Sequence, residues 1–429
     1  MLHFPAHPAP ATESRRVTPD FIPSDPAILA LEDDIDDVFA IHEVRVQAGG
    51  RGVMFVGEFL RSPALVFETV AERFKARDRI PVLRREGGRD ILIAQTAPPA
   101  RGRRRVRINV LLFALTVLSV LYAGVMMNLS GPAAAAYDAA LTRLAVAPGA
   151  DLSARLACSM ASKGVTGSMF AANWRAGLPF MLALLGILGV HEFGHYFAAR
   201  RYKLDTSLPY FLPFPNPFTG TLGAVIRIDS PFTSRRSLFD VGIAGPLAGL
   251  AVAVPVLIAG LSHATFLPIV TPETSGVVFN EPLLFRGLAW LVIGARPAGM
   301  DIEMNPLLMA GWWGLLVTAI NLLPVSQLDG GHINYAVFGR AHRYVAWAMY
   351  GAAVLVAVTM STSYVIMLVL ILFMGLQHPP ALDDITDVGR FRRVLGIGTL
   401  LLFFVLVTPV PLQFMGGVGG GASLCGLPF

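Results

Sequence analysis

Apolar and polar positions divide the chain into an irregular start, a small amphipathic module and a series of long apolar runs. Residues 1–43, rich in proline at first and without periodicity, predict a poorly ordered N-terminal segment. Within 44–100 the pattern changes. GVMFVGEFL (52–60) reads as a strand and PALVFETVAERFKARD (63–78) as an amphipathic helix begun by Ser62. Residues 80–95 then read as a hairpin turned at Gly87-Gly88. Together these predict a small soluble α+β domain with no catalytic cluster of its own.

From residue 101 to about 415 the chain is dominated by apolar stretches near the ~20 residues that a helix needs to cross a bilayer. They centre on Ile108–Met127, 178–199, Leu238–Leu261, Pro306–Leu323, Tyr344–Met360, Ser363–Gln377 and Leu395–Phe414. The fold class is therefore a polytopic α-helical membrane protein of about seven spans. LLFRGLAWLVIG (283–294), with Arg286 inside it, is too short to cross and reads as interfacial or re-entrant. Residues 128–176 read as an outer loop with an Ala-rich helical part, and 416–429 as a Gly-rich outer tail. Residues 207–231 are broken by Pro and Gly yet β-prone near Gly223–Ile228. They predict a re-entrant segment with a short hairpin whose edge can pair with an extended peptide.

Composition agrees: 54% of the 429 residues are hydrophobic and only 15% charged, too apolar for a soluble enzyme. The net charge of +5 is concentrated in clusters such as RGRRRVR (101–107), Arg200-Arg201 and RFRR (390–393), each beside an apolar run. Such clusters mark cytoplasmic flanks by the positive-inside rule, which places the N-terminal domain in the cytoplasm and predicts no nucleic-acid partner. The start of the sequence lacks a basic region followed by an apolar one, so no cleavable signal peptide is expected. Cys158 and Cys425 are too few and too far apart for a cysteine metal site. Both fall on the outer face. Their spacing leaves open whether they pair, since a disulfide needs Cα atoms within ~7 Å.

The chemistry lies in the second span, LPFMLALLGILGVHEFGHYFAAR (178–200). On a helix His191 and His195 share one face a turn apart, so both can meet one metal ion. Glu192, beside the first of them, can take a proton from a water at that metal. Ionisable groups this deep in an apolar helix cost roughly 2.5–3.5 kcal/mol each on insertion scales and are functional by default. A zinc held by two histidines needs a third protein ligand. Asp329, in NLLPVSQLDGGH (321–332), is the available carboxylate. One outward and one inward span between the motifs return Asp329 to the side of the histidines, nearer the cytoplasmic face. His332 reads as a neighbour of the site and not as a ligand. Gly245 and Gly249 allow close helix packing.

HEFGH in one span and Asn-x-x-Pro-x-x-x-Leu-Asp-Gly-Gly in a later one resemble the site-2 protease family of intramembrane zinc metalloproteases. SLPYF, GAVIRI and LFDVGIAGPLAG add to the likeness, which covers residues 178–338 best. The resemblance implies one Zn2+ per chain on His191, His195 and Asp329, Glu192 as catalytic base, and Asn321 holding substrate. It implies hydrolysis of peptide bonds within transmembrane segments. The partners implied are the lipid bilayer, single-span substrates such as anti-sigma-factor-like regulators, and an upstream site-1-type protease, in a bacterial inner membrane. No PDZ-like insertion is seen, so PDZ gating is not implied. A silent zinc-binding scaffold could dispense with Glu192. A transporter would explain the Gly and Pro breaks but not the metal motif.

Overall fold

The computed structural model describes residues 25–47, 52–98, 106–128, 131–144, 151–269, 276–360 and 362–415. Residues 1–24, most of the basic cluster 101–107, and the tail 416–429 with Cys425 lie outside the described residues, and with Cys425 the question of its pairing.

The chain opens with α1 (Pro26–Asp33), β1 (Phe39–Val46), β2 (Gly52–Phe59), α2 (Pro63–Lys75), β3 (Arg79–Glu86) and β4 (Arg89–Thr96). The strands form one antiparallel sheet in the order β1-β2-β4-β3. Gly87 and Gly88 both take positive φ (57° and 80°), as a two-residue hairpin turn requires. Phe55, Leu83 and Leu92 of the sheet pack against Val66, Val70 and Phe74 of α2 and against Ile28, Leu31 and Ile35 at the N-terminal side. Ordered structure therefore begins well before residue 44, which corrects the expected boundary. The missed strand, β1, carries His42, Glu43 and Arg45, and its register shifts between Ile41 and Glu43, so no clean alternation shows in the sequence.

The membrane part follows as α3 (Val106–Asn128), α4 (Gly131–Thr142), α5 (Leu152–Arg201), β5 (Tyr210–Pro213), β6 (Thr221–Val225) and α6 (Arg235–Leu261). Next come β7 (Phe266–Pro268), β8 (Gly276–Phe279), α7 (Leu283–Ile293), β9 (Met300–Ile302), α8 (Pro306–Leu322) and α9 (Asp329–Phe338). The chain closes with α10 (His342–Thr359), α11 (Val365–Met374), α12 (Arg390–Leu406) and β10 (Leu412–Met415). Among the described residues four stretches are long and apolar enough to cross a membrane: Val106–Asn128, Ser153–Arg201, Arg235–Leu261 and Asp329–Thr359. The helices α7, α8 and α11 are apolar but shorter.

Three expectations change. The expected loop 128–176 is largely helical, because α5 runs unbroken for 50 residues, about 75 Å. Its N-terminal part is rich in Ala, Ser and Met, and the Asp151 side chain caps its start by accepting from Ala154 N–H at 2.8 Å. The stretch 363–377 holds only ten helical residues in α11, about 15 Å. The last run ends at Leu406 because Pro409 and Pro411 cannot continue a helix, and β10 instead pairs antiparallel with β8. The predicted hairpin at 207–231 is present as β5–β6, displaced to Thr221–Val225 on its second strand.

Helix α6 is the hub. It packs against α5, α8 and α9, and α12 closes over α8 and α9. At the end of the bundle that carries the basic flanks, Arg392 grips Asp240 through both guanidinium arms at 2.7 and 2.9 Å, and Tyr202 donates to the same carboxylate. That knot joins the last turn of α5, the start of α6 and the start of α12 into one frame.

Candidate active site

The metal motif forms because three helices meet with almost no side chain between them. Gly194 of α5 lies against the Ala244 carbonyl of α6, where an added Cβ would sit 2.7 Å from that oxygen. Across the same contact Gly245 faces the His195 ring and Gly249 faces His191. The spacing that signals helix packing thus also makes room for the two imidazoles. Gly242 does the same for α9, a Cβ there meeting His332 at 2.9 Å.

Asp329 arrives by a different device. Pro324 cannot extend α8, so Leu323 turns to extended backbone (ψ 123°) and Ser326 takes a positive φ of 54°. The chain then re-enters as α9 with Asp329 in its first turn, where the helix dipole favours a carboxylate. Gly330 and Gly331 permit that tight return, since Cβ atoms there would lie 2.0 Å from the Leu322 carbonyl and 2.3 Å from that of Ser326. Asn334 fastens the turn by donating to the carbonyls of Pro324 (2.8 Å) and His342 (3.1 Å).

The result is a compact triangle. His195 Nε2 lies 3.2 Å from His191 Nε2 and 3.2 Å from Asp329 Oδ2, and His191 Nε2 lies 3.3 Å from Asp329 Oδ2. Ligands about 2.0–2.1 Å from a tetrahedral zinc stand roughly 3.3 Å from one another, so the three donors fit three corners of such a site. His195 Nδ1 lies 2.7 Å from the Val241 carbonyl. A carbonyl can only accept, so Nδ1 carries the proton and Nε2 keeps its lone pair for a metal. Among the described residues this is the one group of three His, Cys, Asp or Glu side chains close enough to share an ion.

The surroundings are dry. His191, Glu192, His195 and Asp329 are 3%, 6%, 2% and 4% exposed, which excludes bulk water from the centre. Asn321, at the end of α8, brings Nδ2 to 3.3 Å from His191 Nε2. Beside the site a cleft of about 420 Å³ is lined by Leu188, Phe214, Thr221, Gly223, Trp313 and Ile320. β6 pairs with β5 alone among the described strands.

All five residues singled out from the sequence converge here. His332 does not join them as a ligand: its ring packs on Phe232 and its Nδ1 meets His378 Nε2. Sequence reasoning missed the Val241 carbonyl, which leaves no trace in residue type. It also took Gly245 and Gly249 for packing alone.

Residues 179–361 match the family model described as Peptidase family M50. That stretch is similar to the M50 peptidases. It contains the whole triangle, Glu192, Asn321 and the hairpin, and it bears out the resemblance to the site-2 protease family. The chain is 32% identical over 246 residues to "Probable zinc metalloprotease EGY1, chloroplastic" of Arabidopsis thaliana, covering 54% of this chain and 42% of that protein. It is 32% identical over 243 residues to "Probable zinc metalloprotease EGY2, chloroplastic" of Oryza sativa subsp. indica, covering 54% and 43%. With the rice "Probable zinc metalloprotease EGY3, chloroplastic" it shares 31% over 281 residues, covering 59% and 44%. The chain thus spans less than half the length of these relatives. No solved structure matches it. The zinc metalloproteases it resembles and the donor set agree on zinc as the metal.

Proposed function

We propose that this chain is an intramembrane zinc metalloprotease that hydrolyses peptide bonds inside the transmembrane segments of other proteins. The observation that carries the proposal is the buried His191–His195–Asp329 triangle at tetrahedral spacing, with Glu192 in the same helical turn. His191, His195 and Asp329 would hold a zinc, which would supply Lewis acidity toward a carbonyl and a water. Glu192 takes a proton from that water as its oxygen adds to the scissile carbonyl carbon, and delivers it to the nitrogen as the C–N bond breaks. Asn321, whose Nδ2 lies close to His191, would donate to an oxygen of the reacting peptide. A transmembrane substrate has its amides paired within its own helix and must unwind first; the β5–β6 hairpin beside the cleft offers an extended segment alternative backbone partners.

A seven-crossing topology, in which the shorter helices other than α7 also cross, would put RGRRRVR, Arg200-Arg201, Arg235-Arg236, GRAHR and RFRR on one cytoplasmic face. Contacts of two of these clusters, with the N-terminal sheet and with the segment ahead of RFRR, favour it. Arg340 donates to the Arg85 carbonyl at 2.5 Å, and Arg236 to that of Asp387 at 2.9 Å. On this reading the N-terminal sheet is cytoplasmic and the membrane is a bacterial inner membrane. Substrates are single-span proteins of the anti-sigma-factor type, trimmed beforehand by a site-1-type protease.

Metal analysis of purified protein tests the centre. We expect about one zinc per chain, falling at least ~tenfold in His191→Ala. Stoichiometric zinc in a triple His191/His195/Asp329 alanine variant would overturn the ligand set. The cut should fall in the cytoplasmic half of the bilayer, because His191 lies 13 residues into the run that starts at residue 178, roughly 20 Å deep. Mass spectrometry of product ends reads this directly, and cleavage confined to a soluble loop contradicts it.

A further inference from the structure

Between α11 and α12 the chain runs as a strap, residues 376–389, stiffened by Pro379 and Pro380 and lying between the N-terminal sheet and the M50-like stretch. On one side it bridges to the edge of the sheet. β3 is an edge strand, and Leu83 N–H donates to the Leu382 carbonyl at 2.8 Å, with Asp384 N–H returning to the Leu83 carbonyl at 3.4 Å. Arg84 reinforces the junction, its Nη1 lying 2.7 Å from the Ala381 carbonyl and 3.2 Å from that of Leu382. Ile385 packs against the core of the N-terminal sheet. Burial pulls the pKa of Arg84 down from the ordinary arginine value, the mark of a guanidinium kept for its hydrogen bonds and not for solvation.

On its other side the strap grips the segment that carries Asp329. Leu382 and Asp383 donate through their N–H groups to the carbonyls of Phe232 and Thr233, both at 2.9 Å, just ahead of α6. The Leu376 carbonyl accepts from Ser326 N–H at 3.1 Å, inside the turn that leads into α9. Asp384 accepts from Tyr335 at 2.6 Å, and His378 meets His332, so the strap holds α9 at two positions one turn apart. Helix α9 needs such support. It has only ten residues, its N-cap Leu328 offers no side-chain bond, and its far end is held by Arg235 on the Ala336 carbonyl at 2.6 Å.

We propose that the N-terminal sheet is an intramolecular clamp on this strap, and that Arg84 is a positioning residue for Asp329, acting through residues 376–389 and α9. The inference rests on Asp329 being a zinc ligand. Loosening the strap releases the turn at Ser326 and the strap-facing side of α9 together, and the carboxylate drifts from the two imidazoles. The sheet thereby sets how firmly the metal is held, without touching substrate.

The test uses the full chain in detergent, loaded with zinc and mixed with a chromogenic chelator. Arg84→Ala should release zinc ~tenfold faster, the size typical for removing support behind a ligand, and lower kcat with KM unchanged. Arg84→Lys should restore most of the difference, because an ammonium can donate to the same carbonyls. Limited proteolysis of residues 25–98 reports whether the sheet stays folded. Should Arg84→Ala unfold it, Tyr335→Phe breaks the strap at the other end and should speed release in the same direction. Wild-type release rates in Arg84→Ala with an intact sheet, or in Tyr335→Phe, overturn the clamp. A wild-type protein without stoichiometric zinc, or one that keeps its zinc in Asp329→Ala, overturns the ligand assignment instead.

Discussion

Glu192→Gln should abolish peptide hydrolysis, by at least ~100-fold, while leaving zinc bound at about one per chain. Gln keeps the size of the side chain and its place, 6% exposed, in the turn between His191 and His195. It lacks only the ability to take a proton from water. The metal should stay because the three donors are contributed by His191, His195 and Asp329. Co-expression with single-span membrane proteins, followed by blotting for uncleaved stubs, measures the loss. Metal analysis of the same preparation measures retention. Near-normal cleavage would end the general-base assignment, and wild-type protein inert toward every transmembrane segment offered would favour the scaffold reading.

Gly245→Ala should be almost as damaging, although it adds one methyl group. That Cβ would stand 2.0 Å from His195 Nε2 and 2.4 Å from Cδ2, far inside contact distance. The ring has no easy retreat, since Nδ1 is tied to the Val241 carbonyl of the same helix, α6. Either the imidazole turns out of the triangle or α6 moves away from α5, and both cost the metal a ligand. Zinc content should fall at least ~tenfold, with activity falling in parallel. Gly249→Ala should be milder, its Cβ lying 3.1 Å from His191, and Gly398→Ala, which meets nothing within 4 Å, should be neutral. Full zinc occupancy in Gly245→Ala would mean that the helices separate more readily than their packing implies.

The site was legible in the sequence to an unusual degree, for reasons peculiar to helices in membranes. His191 and His195 are four apart on one helix, so their shared face follows from 3.6 residues per turn. Asp329 was the carboxylate available in the later motif, and the structure brings it to the two imidazoles. Pro324, Gly330 and Gly331 announce the broken backbone that presents it. The hairpin at Gly87-Gly88 was equally plain, because a two-residue turn needs positive φ at both positions. Less was visible where structure depends on partners distant in sequence. β1 is disguised by its charged residues and its register shift. α5 outruns its apolar segment because Ala-rich sequence needs no membrane to be helical when α4 packs beside it. The strap at 376–389 reads as a plain loop; only the edge of β3 and the carbonyls at Phe232 and Thr233 give it backbone partners.

The sequence by itself pointed to the chemistry: which side chains could be donors, which could be the base, and that the first of them sit in a helix apolar and long enough to cross a membrane. Periodicity and hydropathy are local properties, and these conclusions need nothing else. Tertiary structure alone decided the spacing of the donors, the tautomer of His195 through the Val241 carbonyl, and the meaning of Gly245 as room for an imidazole. It also decided that the N-terminal sheet is joined to α9 by backbone hydrogen bonds. Each of these depends on close approach between segments far apart in the chain, and a backbone carbonyl or a missing Cβ carries no sequence label for the partner it will meet.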